Sequence, residues 1–468
     1  MITAELTRTN LEYDMNALLK SFYPSEEVKM VGTEAEEGVL LVRILKDGVV
    51  LTELSLPDEY DSNKSVFKNE IRRKLYKDLE KINGHGLPWG ILNGIRPTKL
   101  VMKEILAGKS DEEAVAFMKD TYLASDEKAR LAVRIAKNER KVIERSKGED
   151  GWSLYIGIPF CPTTCMYCSF TSYAISLWKD RVGEYIEAMF KEIDAAADIM
   201  GGKNPDTIYI GGGTPTTLEA EEFERLFKKL EETFDMDSLL EFTVEAGRAD
   251  SITREKLKVL KKHGVSRISV NPQTMNDETL ELIGRRHNVA QVKEAFEAAR
   301  EEGFENINMD MILGLPGEAD DEVRRTVEEI EKLKPDNLTV HSLAIKRASA
   351  LAKLIDKMGY ERLHNSDSTM AIASEAAGRM GMQPYYLYRQ KNMSGNFENT
   401  GYAIPGKEGI YNILIMEEIQ SIIAVGAGTV TKRVAEDGNI TRCDTPKDVG
   451  LYIRVIDDMI KRKKDLFK

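Results

Sequence analysis

Cysteine is scarce in this chain. There are four in 468 residues, and three fall within eight positions, at Cys161, Cys165 and Cys168. So few thiols exclude a disulfide framework, and their clustering points to metal binding in a reducing compartment. Histidine is nearly as rare, with five residues at 85, 263, 287, 341 and 364. None lies beside the cysteines. No run of about 18 apolar residues occurs, so no transmembrane helix is expected. The opening MITAELTRTNLEYDMNALL has no basic flank leading into an apolar stretch, so no secretory signal is read there and a cytoplasmic protein is expected. Positive charge is not in surplus either, since the formal net charge is −12. That disfavours a bulk grip on nucleic acid or an anionic membrane. No nucleic-acid partner and no stable membrane insertion are expected, although a local basic pocket for a carboxylated small molecule stays compatible. No short-period repeat or low-complexity tract stands out.

What is present suits large buried cores, with 42% hydrophobic and 31% charged residues. The length predicts two to four domains. Residues 1–150 read as a small N-terminal α/β unit followed by a helical region. LLVRILKDGVVLTELSL forms two strands turning at Asp47-Gly48. A charged helical pattern covers 65–83, and LPWGILNGIRPTK at 87–99 breaks it. In 151–350, six short apolar runs begin near 153, 206, 240, 266, 307 and 337. They are spaced roughly 30 to 50 residues apart, the size of a strand with its crossover helix. Uninterrupted apolar runs suit parallel strands buried on both faces. The expected architecture is a partial (β/α)6 barrel, with functional residues at the C-terminal strand ends. Residues 351–468 are expected to form a C-terminal α+β domain covering the active site. It has a helix over 366–380, a strand-like YNILIM, a SIIAVGAGTV turn and a terminal helix.

The chemistry centres on Cys161-Pro-Thr-Thr-Cys165-Met-Tyr-Cys168, directly after the first barrel strand. Structural zinc takes four Cys or His ligands, and no fourth partner is near, Cys443 being remote and read as a buried thiol. Three thiolates suit a [4Fe–4S] cluster with one iron open to a ligand. Zinc is the weaker alternative. Gly211-Gly212-Gly213-Thr214-Pro215 ends the second strand, where glycines permit close backbone approach and expose N–H groups. A plain tight turn is the alternative. Glu245 ends the third strand and has Arg248 as a possible structural partner. Gln273 ends the fourth. Arg285 can hold a carboxylate bidentately, or, with Arg286, mark a solvated helix end. Asp310 sits inside an apolar strand, where a lone charge demands a partner.

These motifs, in this order, resemble the radical S-adenosylmethionine superfamily. Over about 150–435 they resemble the oxygen-independent coproporphyrinogen III oxidase family and its relatives, and most of all its HemZ-type branch, to which LPWGILNGIRPTK also looks typical. The resemblance implies that Cys161, Cys165 and Cys168 hold the [4Fe–4S] cluster. Tyr155, Gly212, Gly213, Thr214, Glu245, Gln273, Arg285 and Asp310 would contact S-adenosyl-L-methionine, of which the family holds one or two molecules. Ala344 and Val430 fall where further contacts are placed. The implied activity is that of a radical oxidoreductase of the coproporphyrinogen dehydrogenase type in heme biosynthesis. Its partners would be a tetrapyrrole and reduced flavodoxin or ferredoxin.

The chain departs from the family pattern in three places. The oxidases read Tyr-x-His-x-Pro-Phe-Cys before the loop, and here Gly157 replaces the histidine. Phe170 stands where they carry an extra cysteine, as in the HemW-type heme chaperones. Of the chaperones' His-Asn-x-x-Tyr-Trp, the stretch Glu398-Asn399-Thr-Gly-Tyr402-Ala403 keeps only Asn and Tyr. Alternative readings are therefore a heme-binding chaperone, with heme as its ligand, and a radical methyltransferase acting on heme. Arg347, Arg389 and Lys391 are candidates to meet propionates. Tyr385, Tyr386 and Tyr388 are candidates to line a tetrapyrrole pocket, a seam between domains being the plainer reading. His341 is a candidate substrate or heme contact, and His287 reads as local structure.

Overall fold

The computed structural model describes residues 1–60, 64–92, 94, 96–168, 170–345, 351, 359, 363–390 and 393–468. Chain contacts divide it into two units, 1–137 with 387–398, and 138–386 with 399–468.

The first unit begins with a strand that the sequence reading passed over. Ile2, Ala4 and Leu6 alternate with polar neighbours along β1 (Ile2–Leu6), the period-two pattern of a one-sided sheet. Then follow α1 (Glu12–Phe22), β2 (Val28–Gly32), β3 (Val39–Lys46), β4 (Val49–Pro57) and α2 (Lys64–Asn83). The sheet order is β2-β1-β3-β4, with β1 parallel to β2 and antiparallel to β3. Asp47 and Gly48 turn β3 into β4 with φ of 51° and 82°, the left-handed pair of a two-residue hairpin. The alternate residues of β1 and β3 pack with Met15, Leu18 and Leu19 of α1 and Ile71, Leu75 and Leu79 of α2. Three helices follow, α3 (Pro97–Leu106), α4 (Asp111–Tyr122) and α5 (Asp126–Ile143). The Glu398 carboxylate is buried in this unit. It accepts from Trp89 Nε1 at 2.8 Å and from Lys128 Nζ at 2.8 Å. This gives Trp89 of the LPWGILNGIRPTK segment a structural partner.

The second unit alternates strands and helices: β5 (Trp152–Ile158), β6 (Phe160–Cys161), β7 (Tyr173–Ala174), α6 (Val182–Ile199), β8 (Thr207–Gly212), α7 (Ala220–Thr233), β9 (Glu241–Glu245), α8 (Arg254–Lys262), β10 (Arg267–Ser269), α9 (Asp277–Leu282), α10 (Val289–Glu301), β11 (Ile307–Leu313), α11 (Asp320–Leu333) and β12 (Asn337–Ser342). All six expected barrel strands are present. They neighbour one another in the order β5-β8-β9-β10-β11-β12, every pair parallel. The fold is α/β, as expected. The later elements are α12 (Asp367–Arg379), β13 (Gln383–Tyr388), β14 (Asn399–Ala403), α13 (Ile410–Glu417), β15 (Ser421–Val425), β16 (Val430–Val434), β17 (Ile440–Asp444), α14 (Val449–Arg454) and α15 (Ile456–Leu466).

Two features of 351–468 differ from the sequence reading. The strand-like YNILIM is the helix α13. An apolar run has no periodicity to separate the two states, and this one is a helix buried on most of its circumference. The strands after 351 also extend the barrel sheet. β14 pairs antiparallel with β12, and β15 pairs parallel with β5. Open edges of the parallel sheet thereby gain backbone partners, so the 1–150, 151–350 and 351–468 segments do not coincide with the two units.

The last helix is pinned from inside. Glu192 of α6 is buried and accepts from Lys463 Nζ at 2.6 Å, Tyr452 Oη at 2.6 Å and Gly426 N at 2.8 Å. Glu192→Ala would strand the Lys463 charge, a loss of about 3–5 kcal/mol read as a fall in Tm. Replacing both Glu192 and Lys463 with leucine should recover most of it. An unchanged Tm in the single variant contradicts the pairing.

Candidate active site at the strand ends

Each barrel strand is buried except at particular positions. In β5 the exception is Tyr155, in β9 Glu245, in β11 Asp310 and in β12 His341. β8 is open at Tyr209 and Gly212. The register pairs Tyr155 with Tyr209, Tyr209 with Thr243, and Asp310 with Thr339. With a period of two, Tyr155, Tyr209, Glu245, Arg267, Asp310 and His341 therefore share one face of the sheet. An apolar strand with one accessible polar residue marks a lined interior, and four of these six are among the sequence candidates or flagged residues.

The thiol loop leaves the end of β5. Cys161 is buried, Cys165 and Cys168 are half-buried, and all three are free thiols. Burial pushes the Cys161 and Cys168 thiols up. Thr214 Oγ1 donates to Cys161 Sγ at 3.4 Å, and Arg248 Nη1 reaches Cys165 Sγ at 3.7 Å. Among the described residues no group of three His, Cys, Asp or Glu side chains is gathered to hold a single metal ion. Cys443, the fourth cysteine, lies in β17, outside the thiol loop. A side chain at Gly213 would place Cβ 2.6 Å from Phe160 O and 3.0 Å from Cys161 Sγ, so only glycine leaves room beside the thiol. The donor set and this cradle fit a cluster held by three cysteines.

The glycine loop differs from expectation in what it offers. Its N–H groups are not free. Gly212 N–H serves the Glu245 carboxylate, Gly213 N donates to Ile158 O at 2.8 Å, and Thr214 N donates to Phe160 O at 2.7 Å. The Thr214 carbonyl is taken as well, accepting from Thr217 N at 2.9 Å and Thr217 Oγ1 at 2.7 Å.

Glu245 accepts from Tyr209 Oη at 2.5 Å. Burial pushes its carboxyl up to about 7, against the Tyr209 hydrogen bond, and the Asp310 charge adds to the rise. Asp310 goes the other way. Burial pushes it up, but His341, 3.6 Å away, and Asn308, donating at 2.7 Å, outweigh burial and hold it below the usual carboxylate range. Gln273 has φ of 69°. Its N donates to Asp310 O and its O accepts from Ile312 N, both at 2.9 Å, so strained backbone stitches it to the Asp310 strand. Arg285 is not a solvated helix end. It is buried, with Nη1 donating to Asn271 O at 2.6 Å and Nη2 to Tyr167 Oη at 3.2 Å. Its Nε is buried with no partner among the described residues. An orphaned guanidinium donor is the feature a ligand carboxylate would satisfy.

Several residues escaped the sequence reading. Tyr411 of α13 stacks on Tyr209 at 4.5 Å between ring centroids and on Tyr155 at 6.1 Å. Misreading α13 as a strand hid it. Tyr209 was legible in principle, two residues before the glycines and on their face. Glu241 fixes α13 by accepting from Ile410 N at 2.6 Å, a carboxylate at a helix N-terminus. Gly157, the missing histidine, also has a structural cause. A Cβ there would lie 2.5 Å from Thr429 Cγ2.

Other candidates lie elsewhere. Ala344 follows β12, and Val430 opens β16 and is partly exposed. Arg389 has its two terminal nitrogens engaged within the protein. It is buried in the first unit, donating to Leu92 O at 2.5 Å and Asn396 Oδ1 at 2.7 Å. Tyr385 and Tyr386 are buried in the second unit. Asn399 Oδ1 accepts from Ser342 N at 2.8 Å. Arg347 and Lys391 lie outside the described residues.

A raised Glu245 has a defined consequence for stability. The neutral carboxyl favours folding, fully so below about pH 4.5, and the benefit is lost as pH rises through about 7. Glu245→Gln stays neutral throughout. Its Tm should match the natural protein in acid and exceed it above neutrality, and a constant offset across that range would contradict a raised carboxyl.

The family model described as Radical SAM superfamily matches residues 155–330. The chain is 43% identical over 430 residues to the oxygen-independent coproporphyrinogen-III oxidase-like protein HemZ of Bacillus subtilis, covering 89% of this chain and 85% of that one. It is 39% identical over 277 residues to the heme chaperone HemW of the same organism, covering 59% and 69%. Among solved structures, coproporphyrinogen III oxidase (HemN) of Escherichia coli superposes with a TM-score of 0.55 at 22% identity, over 69% of this chain and 73% of that one. It shows the shared fold. With the thiol loop, the glycine cradle and the strand-end carboxylates in place, the chain belongs to the radical SAM superfamily and, within it, to the HemZ-type branch of the oxygen-independent coproporphyrinogen III oxidase family.

Proposed function

We propose that this protein oxidatively decarboxylates two propionate side chains of coproporphyrinogen III without oxygen, giving protoporphyrinogen IX. The observation that carries the reading is the 43% identity to the HemZ protein, over a length too great to be confined to the barrel. Cys161, Cys165 and Cys168 would hold a [4Fe–4S] cluster, which when bound and reduced would supply the single electron for cleaving S-adenosyl-L-methionine to methionine and a 5′-deoxyadenosyl radical. Reduced flavodoxin or ferredoxin is the proposed electron source.

The chain's own residues bind and orient. The glycine run Gly211–Gly213 receives the amino group, and Arg285 Nε donates to the carboxylate. Glu245 and Asp310 accept from hydroxyls or ammonium, with one or two S-adenosylmethionine molecules sharing them. Tyr155, Tyr209 and Tyr411 wall the interior with stacked rings and exclude water. His341, half-buried on the same face beside Asp310, is the proposed tetrapyrrole contact. On each propionate a hydrogen β to the carboxylate is abstracted. The substrate then loses CO2 and passes one electron to an acceptor, leaving a vinyl group.

Heme carriage is the second reading. Phe170, 74% exposed, replaces the extra cysteine of the oxidases, and the chain shares 39% identity with a heme chaperone.

The test is anaerobic. Reconstituted, reduced protein is given S-adenosylmethionine and coproporphyrinogen III. Mass spectrometry should show 5′-deoxyadenosine and a porphyrinogen lighter by two molecules of formic acid (CO2 plus two hydrogens each). Cys165→Ala should remove the iron–sulfur chromophore and both products. Deoxyadenosine without porphyrinogen turnover, with one heme bound per chain, overturns the oxidase reading in favour of carriage.

A further inference from the structure

Beneath the thiol loop lies a charged network in which Arg248, Asp250 and His287 have no part in the proposed catalytic roles. Arg248 follows β9, and its side chain is only 4% exposed. All three guanidinium nitrogens are engaged. Nε donates to Asp250 Oδ1 at 2.9 Å and Nη2 to Asp250 Oδ2 at 2.7 Å, a bidentate fork. Nη1 donates to Thr163 O at 3.0 Å and Thr163 Oγ1 at 2.9 Å, and points at Cys165 Sγ, 3.7 Å away. Behind it, His287 Nδ1 lies 3.5 Å from Asp250 Oδ1, and Arg285 Nη1 lies 3.5 Å from His287 Nε2. Arg285 also reaches Tyr167, inside the loop. Burial raises the Asp250 carboxyl, yet His287 and Arg248 hold it well below the usual range, so it is ionised.

Two guanidiniums and one carboxylate leave a net charge of +1 under the loop. Three thiolates on a [4Fe–4S]2+ core carry a net charge of −1, which becomes −2 on reduction. Buried positive charge favours the more negative state, and hydrogen bonds to cluster sulfurs set the potential. An N–H donor also binds more strongly as negative charge on its acceptor grows.

We infer that Arg248 is a positioning residue that donates to the Cys165 sulfur, held in line by Asp250, and raises the reduction potential of the cluster. The inference rests on the reading of the loop as a cluster site. A lysine cannot replace it in full, because one ammonium cannot grip Asp250 bidentately and reach Thr163 and Cys165 together.

The test separates the two layers. Iron and acid-labile sulfide are measured first on the reconstituted full chain. Their absence from the natural protein defeats the cluster reading itself. Midpoint potentials are then taken by redox titration followed by electron paramagnetic resonance, without substrate. For Arg248→Gln the reduced-to-oxidised ratio at a fixed poise should fall about tenfold, a shift of about 59 mV to more negative potential. Arg248→Lys should fall between the two. Asp250→Asn keeps the guanidinium and removes the opposing charge, so it should shift the potential positive, and it serves if Arg248→Gln fails to assemble a cluster. Variants with full iron and sulfide and the natural protein's potential would show that Arg248 merely anchors Thr163, and would overturn the inference.

Discussion

Ionisable side chains on the inner face of a parallel sheet must find partners, because neither water nor apolar packing can stabilise them there. Much of the second unit follows from that constraint. Glu245 takes the Tyr209 hydroxyl and the Gly212 N–H. Asp310 takes Asn308 and stands beside His341. Glu241 takes the first N–H groups of α13. The two strand-end carboxylates are driven apart, one up by burial and the other down by its neighbours.

The part of the chain after 399 completes the interior. α13 brings Tyr411 into the tyrosine stack. The turn after β15 lies against the end of β5, where Gly426 approaches Gly157 so closely that a Cβ would meet its carbonyl oxygen at 2.5 Å. Glu192 fixes that turn through the Gly426 N–H and fixes α15 through Lys463. At Gly157 itself a Cβ would lie 2.5 Å from Thr429 Cγ2, so that side chain crowds the position. The sheet is closed against its own last strands at the point where a histidine would stand.

The thiol loop is held from below rather than by its own sequence. Met166 N donates to Ile283 O at 3.0 Å, and Arg248 holds Thr163. Residues from after β9 and after β10 therefore position three sulfurs that leave β5. No short motif encodes this, since the contributing segments lie some hundred residues apart in sequence.

The sequence by itself determined the chemistry and the period. Three clustered cysteines, a glycine run and single charges at the ends of apolar strands carry their meaning locally, because ligand spacing and strand alternation are local properties. The six strands, the Asp47-Gly48 hairpin and the α12 helix were legible for the same reason. Tertiary structure alone decided the rest. Whether YNILIM is a helix depends on what surrounds it, since an apolar run fits either state. Whether the N–H groups of the glycine loop are free depends on which backbone lies next to it. Whether Arg248, Arg285 and Arg389 face solvent, a sulfur or a buried carbonyl depends on distant segments that meet only when the chain has folded, and burial with its partners, not residue type, sets what each charge can do.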